Sequence, residues 1–213
     1  MRHGKINFNY ENCTYDEFIE ILSNGSQKGL AQKHSINFAA FPKNIELICH
    51  SPAKRALETA EKINEHLNVS KIQQLDLLAE VNFDNNIISK KEYKSLEDSR
   101  PLILERWFDG TNKSESFEES ILRIKKIEEF LQNRKERTII LVTHGWFLRL
   151  LELYFVKNKR EGIMLHDLLS VKPITLGKYV KATFNPENSN NLNFCDASTL
   201  HANQNHFEFE CSK

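Results

Sequence analysis

The sequence lacks a net charge. Lysine and arginine together number 29 of the 213 residues, and aspartate and glutamate also number 29, so the formal net charge is zero. A neutral chain has no overall electrostatic field that would hold nucleic acid or an anionic membrane surface. The balance therefore argues against nucleic-acid and membrane partners, and any anion must be recognised locally.

Long apolar segments and metal-type cysteine spacings are also missing. No run approaches the roughly 18 apolar residues of a membrane-spanning helix, and the start has no basic segment followed by an apolar core. The four cysteines show none of the short spacings of a metal site: Cys13, Cys49, Cys195 and Cys211. We therefore expect a soluble, cytoplasmic protein with reduced thiols and no metal.

Helical and apolar segments alternate along the chain in the manner of an α/β fold. Residues 45–49 and 138–143 are short apolar runs typical of buried strands, and 73–78 is a third candidate strand. Amphipathic helices with capping boxes are predicted to follow Thr14 and Ser116. The pattern predicts a mainly parallel central sheet with helices on both faces.

The length fits a single domain over residues 1–213 with a substantial core. Residues 84–115 run from charged to aromatic without clear periodicity, and they are the best candidate for an inserted lid. An ordinary surface excursion with one amphipathic helix fits this segment equally well. The tail, 172–213, is harder to interpret, although 179–184 and 206–210 have the alternation of strands.

Polar side chains follow the predicted strands where each one ends. Ser51 is predicted to be the N-cap and Pro52 the first residue of a helix with Arg55 in its first turn, which offers free N–H groups to an anion. Glu80 and His144 follow the next two candidate strands. Because ligands of open parallel sheets bind beyond the carboxyl ends of the strands, we expect these side chains to line one crevice.

An Arg-His pair near the chain start completes a set suited to phosphate chemistry. Two guanidinium groups match phosphate oxygens, and a neutral imidazole can attack phosphorus to form a phosphohistidine. A second imidazole, if protonated, would stabilise the equatorial oxygens, and a carboxylic acid would protonate the leaving alcohol. This set needs no metal for phosphoryl transfer. Its members are Arg2, Arg55, His3, His144 and Glu80.

Several short sequence motifs resemble those of the histidine phosphatase superfamily, the phosphoglycerate-mutase-like fold, across about residues 1–155. Residues 2–4 match its Arg-His-Gly signature, and 51–60 match its Ser-Pro-x-x-Arg-Ala-x-x-Thr-Ala helix start. Residues 78–83 resemble the segment that carries the proton donor, and 143–145 match the second catalytic histidine. Glu115-Ser116 resembles another recurrent pair, and these five short matches come in the family's order.

The resemblance implies a role for each matched residue. His3 would be the nucleophile, Glu80 the general acid and His144 a second catalytic residue. Family members take the acid from more than one place, so Asp84 and Glu92 stay open as alternatives. The implied phosphate-binding residues are Arg2, Arg55, His144 and Asn9. The implied partner is a small phosphorylated substrate, and no cofactor is implied.

The match breaks at the chain start. In the family the signature ends an apolar β-strand, but only Met1 precedes Arg2, so we expect that first strand to be missing from this chain. Either the true start of the protein lies upstream of Met1, or the catalytic site is weakened and the chain is a phospho-ligand-binding protein. Residues 5–7 differ from the Glu-Thr usual in mutases. This difference favours a phosphomonoester hydrolase over a phosphoglycerate-type mutase.

Overall fold

A computed structural model describes residues 1–4, 12–31, 36, 38, 41, 42 and 44–171, together with two short strands at 181–183 and 193–195. The candidate strand at 206–210 lies outside these residues, as does Asn9. The described helices are α1 (Tyr15–Asn24), α2 (Lys54–Leu67), α3 (Leu96–Phe108), α4 (Phe117–Gln132), α5 (Gly145–Leu151) and α6 (Leu165–Ser170). None of these helices combines the length and apolar character needed to span a membrane.

The central sheet is parallel, as predicted. It contains β1 (Leu47–His50), β2 (Ile72–Gln74) and β3 (Ile139–Val142) in the order β2-β1-β3. Two further strands, β4 (Lys181–Thr183) and β5 (Asn193–Cys195), form a separate antiparallel pair. The parallel arrangement brings the carboxyl ends of β1 and β3 side by side.

Helices cover both faces of the sheet, because successive side chains of each strand point to opposite sides. Leu47 and Cys49 face the larger core, to which α3, α4 and α5 contribute. Ile48 and Val142 face a smaller core built with α2. The relative exposure of all four residues is 0%. Burial of each large apolar side chain contributes about 1.5–3 kcal/mol to the stability of the fold. The predicted fold class is confirmed.

Residues 1–3 extend the sheet beyond β3. The Met1 nitrogen donates a hydrogen bond to the Leu141 carbonyl at 2.6 Å, and Thr143 N–H donates to the Met1 carbonyl at 2.9 Å. His3 N–H donates to the Thr143 carbonyl, also at 2.9 Å, and Arg2 forms a parallel bridge with Thr143. These bonds fix the backbone of His3 beside the end of β3.

The sequence located the starts of α1 and α4 correctly, but not the start of α2. Thr14 and Ser116 form the predicted capping boxes of α1 and α4. The prediction that Ser51 caps α2 was wrong, because Ala53 is the N-cap and Ser51 Oγ accepts from Ala53 N–H at 3.2 Å. The candidate strand at 73–78 is also shorter than predicted, since 76–78 form a 3₁₀ turn.

The segment 84–115 contains α3 and contributes to the larger core. Ile103, Leu104 and Trp107 of this helix are buried there. Arg106 joins α3 to the preceding loop through a 2.6 Å salt bridge with Glu92. The segment is therefore packed on the sheet domain, and its role as a lid stays a prediction.

Candidate active site

Four polar side chains meet at the carboxyl ends of β1 and β3. His3 ends the N-terminal strand segment, Ser51 follows β1, and His144 follows β3. Arg55 enters from the first turn of α2. All four are buried, which is unusual for a guanidinium and two imidazoles.

Arg55 bridges the two histidines. Its Nε donates a hydrogen bond to His3 Nε2 at 3.0 Å, and its Nη2 contacts His144 Nδ1 at 2.8 Å. The third nitrogen, Nη1, donates to the carbonyl of Gly25. The centroids of the two imidazole rings are 5.0 Å apart. One guanidinium thus fixes both rings close to each other.

These contacts assign the tautomer of each ring, because a guanidinium only donates hydrogen bonds. His3 Nε2 accepts from Arg55, so its Nδ1 carries the proton and donates to the Gly4 carbonyl at 2.7 Å. His144 Nδ1 accepts, so its Nε2 carries the proton and donates to Ser51 Oγ at 2.6 Å. Both rings are therefore neutral in this arrangement, and the Nε2 lone pair of His3 points at Arg55.

The electrostatic surroundings keep His144 uncharged. Burial lowers the pKa of His144 well below its usual value of 6.5, and the nearby Arg55, His3, Arg2 and Arg123 lower it further. A positive environment of this kind opposes a proton on the ring and favours a negatively charged ligand.

Two glycines allow the close packing around these groups. Gly4 N–H donates to Thr59 Oγ1 at 3.0 Å, which ties the signature to α2. A Cβ at Gly145 would lie only 3.1 Å from Arg2 Cζ and 3.2 Å from its Nε. The Arg2 guanidinium therefore lies directly over the start of α5, where any larger residue would displace it.

Glu80 lies at the same end of α5. Its Oε1 accepts hydrogen bonds from Phe147 N–H at 2.9 Å and Val81 N–H at 3.1 Å, and its Oε2 accepts from Trp146 N–H at 3.3 Å. These bonds hold the carboxyl group beside the helix that begins directly after His144.

A supporting layer fixes the segment that carries Glu80. Glu115 Oε2 accepts from Asn82 N–H at 2.8 Å, and Glu115 Oε1 forms a 2.9 Å salt bridge with Arg123. The Arg123 guanidinium lies 4.0 Å from the ring centroid of Phe147. Arg123 is not among the residues predicted from the sequence, although its position three residues after Ser120 on the buried side of α4 was a usable signal.

The alternative acids occupy other environments. Glu92 accepts from Arg106 and Ser89, and these bonds lower its pKa to about 2, so it carries no proton near neutral pH. Asp84 accepts from Asn86 N–H at 2.7 Å in an exposed turn. Within the described ranges, no group of three or more histidine, cysteine, aspartate or glutamate residues could hold a metal ion.

The sequence model of the histidine phosphatase superfamily (branch 1) matches residues 1–180. The chain belongs to the histidine phosphatase superfamily. The resemblance seen in the short motifs is thereby confirmed at the level of the family. No curated protein matches the chain.

Several solved structures share the fold. Bacillus stearothermophilus YhfR is 18% identical with a TM-score of 0.60, and the match covers 92% of each chain. A mycobacterial glucosyl-3-phosphoglycerate phosphatase, in complex with inorganic phosphate, is 14% identical with a TM-score of 0.54 and 92% coverage of each chain. A putative α-ribazole-5'-P phosphatase from Escherichia coli is 14% identical with a TM-score of 0.53, covering 87% of this chain and 89% of its own.

Proposed function

We propose that this histidine phosphatase family member is a phosphomonoester hydrolase that acts through a phosphohistidine on His3. The observation that carries the proposal is the bridge from Arg55 to the Nε2 of His3 and the Nδ1 of His144. It joins a neutral imidazole, with its lone pair inward, to a guanidinium that matches phosphate oxygens. The names of two structural relatives, both phosphatases of small phosphorylated metabolites, support the substrate class.

The first step transfers the phosphoryl group to the protein. An incoming phosphate draws the guanidinium of Arg55 from His3 to its own oxygens, which frees the Nε2 lone pair. Nε2 attacks phosphorus as the bond from phosphorus to the alcohol oxygen breaks, and protonated Glu80 gives its proton to that oxygen. In the second step Glu80 takes a proton from water, the water oxygen bonds to phosphorus, and the bond to Nε2 breaks.

Glu80 is the acid that we favour over Asp84 and Glu92. Its carboxyl group lies at the start of α5, directly after His144, whereas Glu92 is held as an anion by Arg106. Arg2, which lies over Gly145 at the same helix start, is proposed to bind the phosphate with Arg55. Asn9 is proposed to assist from outside the described residues.

His144 is proposed to take up a proton when phosphate binds. Its positive neighbours keep it neutral before binding, and a phosphate dianion opposes their effect. The protonated ring would then stabilise the equatorial oxygens during transfer.

The deciding experiment is phosphate release from p-nitrophenyl phosphate by the chain and by His3→Ala. Removing the nucleophile should lower kcat by on the order of a thousandfold or more. His166→Ala, at an exposed imidazole of α6, is the matched control and should retain full activity. Unchanged turnover in His3→Ala would rule out the mechanism. A base-stable, acid-labile phosphoryl adduct should form in the unaltered chain and be missing from His3→Ala.

Release of phosphate without a bisphosphorylated primer separates a hydrolase from a mutase. A mutase would return the phosphoryl group to a bound product and release little phosphate. Binding of orthophosphate without any turnover would instead support the phospho-ligand-binding alternative.

A further inference from the structure

Glu115 is a largely buried carboxylate that the proposed mechanism does not use. Its Oε2 accepts a hydrogen bond from the N–H of Asn82 at 2.8 Å, and its Oε1 accepts from the hydroxyl group of Ser120 at 2.5 Å. Oε1 also forms a 2.9 Å salt bridge with Arg123, whose side chain is 15% exposed. The desolvation of such a pair offsets much of its attraction, so stability alone does not account for it.

Glu115 helps to hold the segment that carries Glu80. The side-chain amide of Asn112 donates to the carbonyl groups of Asn82 and Glu115 at 2.9 and 2.6 Å, and its oxygen accepts from the N–H of Asp84 at 2.7 Å. Both polar backbone groups of Asn82, two residues after the acid, are therefore bonded to side chains. A shift of the acid's backbone would break these bonds.

Arg123 reaches the acid by a second route. Its guanidinium lies 4.0 Å from the ring centroid of Phe147, and the N–H of that residue donates to Glu80 Oε1 at 2.9 Å. Burial lowers the pKa of Arg123, and the negative charges of Glu115 and Glu80 oppose this effect. One guanidinium thus interacts with a supporting carboxylate and with the proposed acid.

The surroundings of the two proton-carrying groups are cationic. The charged and titratable groups that act on His144 are Arg55, His3, Arg2 and Arg123, and those that interact with Glu80 are Arg123 and Arg149. A nearby cation favours the ionised form of a carboxyl group and the neutral form of an imidazole. Arg123 therefore opposes both protons that the proposed mechanism needs, unless a negative charge offsets it. Glu115 supplies that charge.

We propose that Glu115 is a positioning residue for the general acid, acting through Asn82 and through Arg123. It holds the backbone beside Glu80, and it balances the charge of Arg123, so that this guanidinium packs on Phe147 without drawing the proton from the acid. The inference rests on the proposed function, because it concerns the acid of that mechanism.

Two phenyl esters test the balancing of charge. Phenyl phosphate releases a basic phenolate that needs a proton as it leaves, since phenol is as weak an acid as the tyrosine side chain, whereas p-nitrophenolate is far less basic. Glu115→Gln keeps the shape of the side chain and removes its charge. The kcat/KM for phenyl phosphate at pH 7.5 should fall about tenfold, and that for p-nitrophenyl phosphate by no more than about threefold. A purely structural defect would lower both equally.

The pH dependence gives the sign of the effect. In Glu115→Gln the unbalanced guanidinium should move the alkaline limb of kcat/KM for phenyl phosphate to lower pH by about one unit. Arg123→Met removes the cation and leaves the carboxylate of Glu115, so the limb should move to higher pH by a similar amount. The double variant carries neither charge and should return the limb to within a few tenths of a unit of its original position. Losses of packing would accumulate instead of cancelling.

Two further variants control for the substitution itself. Glu118→Gln, at an exposed carboxylate in the first turn of α4, is the matched control and should leave both rates and the limb unchanged. Glu115→Asp keeps the charge on a shorter side chain, so the limb should stay in place even where the rate falls. If Arg123→Met fails to fold, Glu115→Gln and Glu115→Asp carry the test, because only the first should move the limb.

A titration without turnover separates this inference from the hydrolase function. The carboxyl ¹³C resonance of Glu80, identified by its loss in Glu80→Gln, is followed against pH by NMR. Its midpoint should move down in Glu115→Gln and up in Arg123→Met, whether or not phosphate is released. Unchanged midpoints in both variants overturn the inference even if both esters are hydrolysed. Shifted midpoints without hydrolysis by the unaltered chain support the balancing of charge and overturn the proposed function alone.

Discussion

Charged side chains have different partners at the two ends of the parallel strands. At the amino end, Lys71 and Arg134 both form salt bridges with Glu136, at 3.2 and 2.9 Å, in partly exposed positions. The carboxylate of Glu46 accepts hydrogen bonds from the backbone N–H groups of Arg137 and Thr138. Positive and negative groups therefore balance one another there, and water screens what remains.

At the carboxyl end, the described side-chain contacts of two buried guanidinium groups are with neutral groups. Arg55 donates to two imidazole rings and a carbonyl oxygen, and Arg149 lies against an aromatic ring. The comparison teaches that the amino end carries paired charges in partly exposed positions, whereas the carboxyl end holds buried guanidinium groups against neutral groups, as the proposed phosphate site would require. Three changes test this contrast.

The largest effect is expected at Arg55. Arg55→Gln removes the group that fixes both rings and grips the phosphate, so kcat/KM for p-nitrophenyl phosphate should fall by about a hundredfold to a thousandfold. Orthophosphate should raise the Tm of the unaltered chain and have little effect on the variant. Arg137→Gln removes a guanidinium at the amino end and should preserve both properties. Equal behaviour of the two variants would contradict the contrast between the two ends.

A smaller effect is expected from the titration of His144. Its pKa is lower in the folded chain than in the unfolded chain, where it is about 6.5, so the unfolded state binds more protons below that pH. The free energy of unfolding therefore has its full value, as far as His144 is concerned, above about pH 6.5. It decreases as the pH falls below that value, by at most about 1.4 kcal/mol per pH unit.

Urea unfolding at pH 7.5 and pH 5.5 measures this contribution. The loss of unfolding free energy on acidification should be smaller in His144→Gln than in the unaltered chain, because the ring that resists protonation is gone. His166→Gln removes an exposed imidazole and should leave the loss unchanged. An identical pH dependence in all three proteins would refute the neutral, buried state of His144.

The smallest effect is expected at Lys71. Its salt bridge with Glu136 is half exposed to solvent, so Lys71→Gln should change the free energy of unfolding by no more than about 0.5 kcal/mol. The difference should shrink further in 1 M salt. A loss above about 1 kcal/mol would show that the amino end depends on this ion pair more than the contrast allows.

Local signals in the sequence were sufficient for the main architecture. The apolar runs before His50 and Thr143 marked β1 and β3, and the capping boxes after Thr14 and Ser116 marked α1 and α4. These features depend on residues within one or two turns of one another. Strand ends in a parallel sheet must share an edge, so the convergence of Ser51, Arg55 and His144 followed from the same information.

Contacts between distant segments could not be predicted in this way. The Gly25 carbonyl that accepts from Arg55 lies thirty residues away in sequence, at the end of α1. Ser51 is a residue type that often caps helices, but its hydroxyl group is hydrogen-bonded to the ring of His144. The burial of Arg149 depends on the packing of α3 and α6 around α5, which no local pattern contains.

Under the proposed mechanism, the hydrogen bond from Arg55 to His3 would also control the reactivity of the nucleophile. While the guanidinium holds the lone pair of Nε2, an uncharged electrophile that enters the cleft meets an occupied nitrogen. An anionic substrate would draw the guanidinium to its own oxygens and thereby free the Nε2 lone pair. In that mechanism, selection for a negatively charged substrate would precede the first bond to phosphorus.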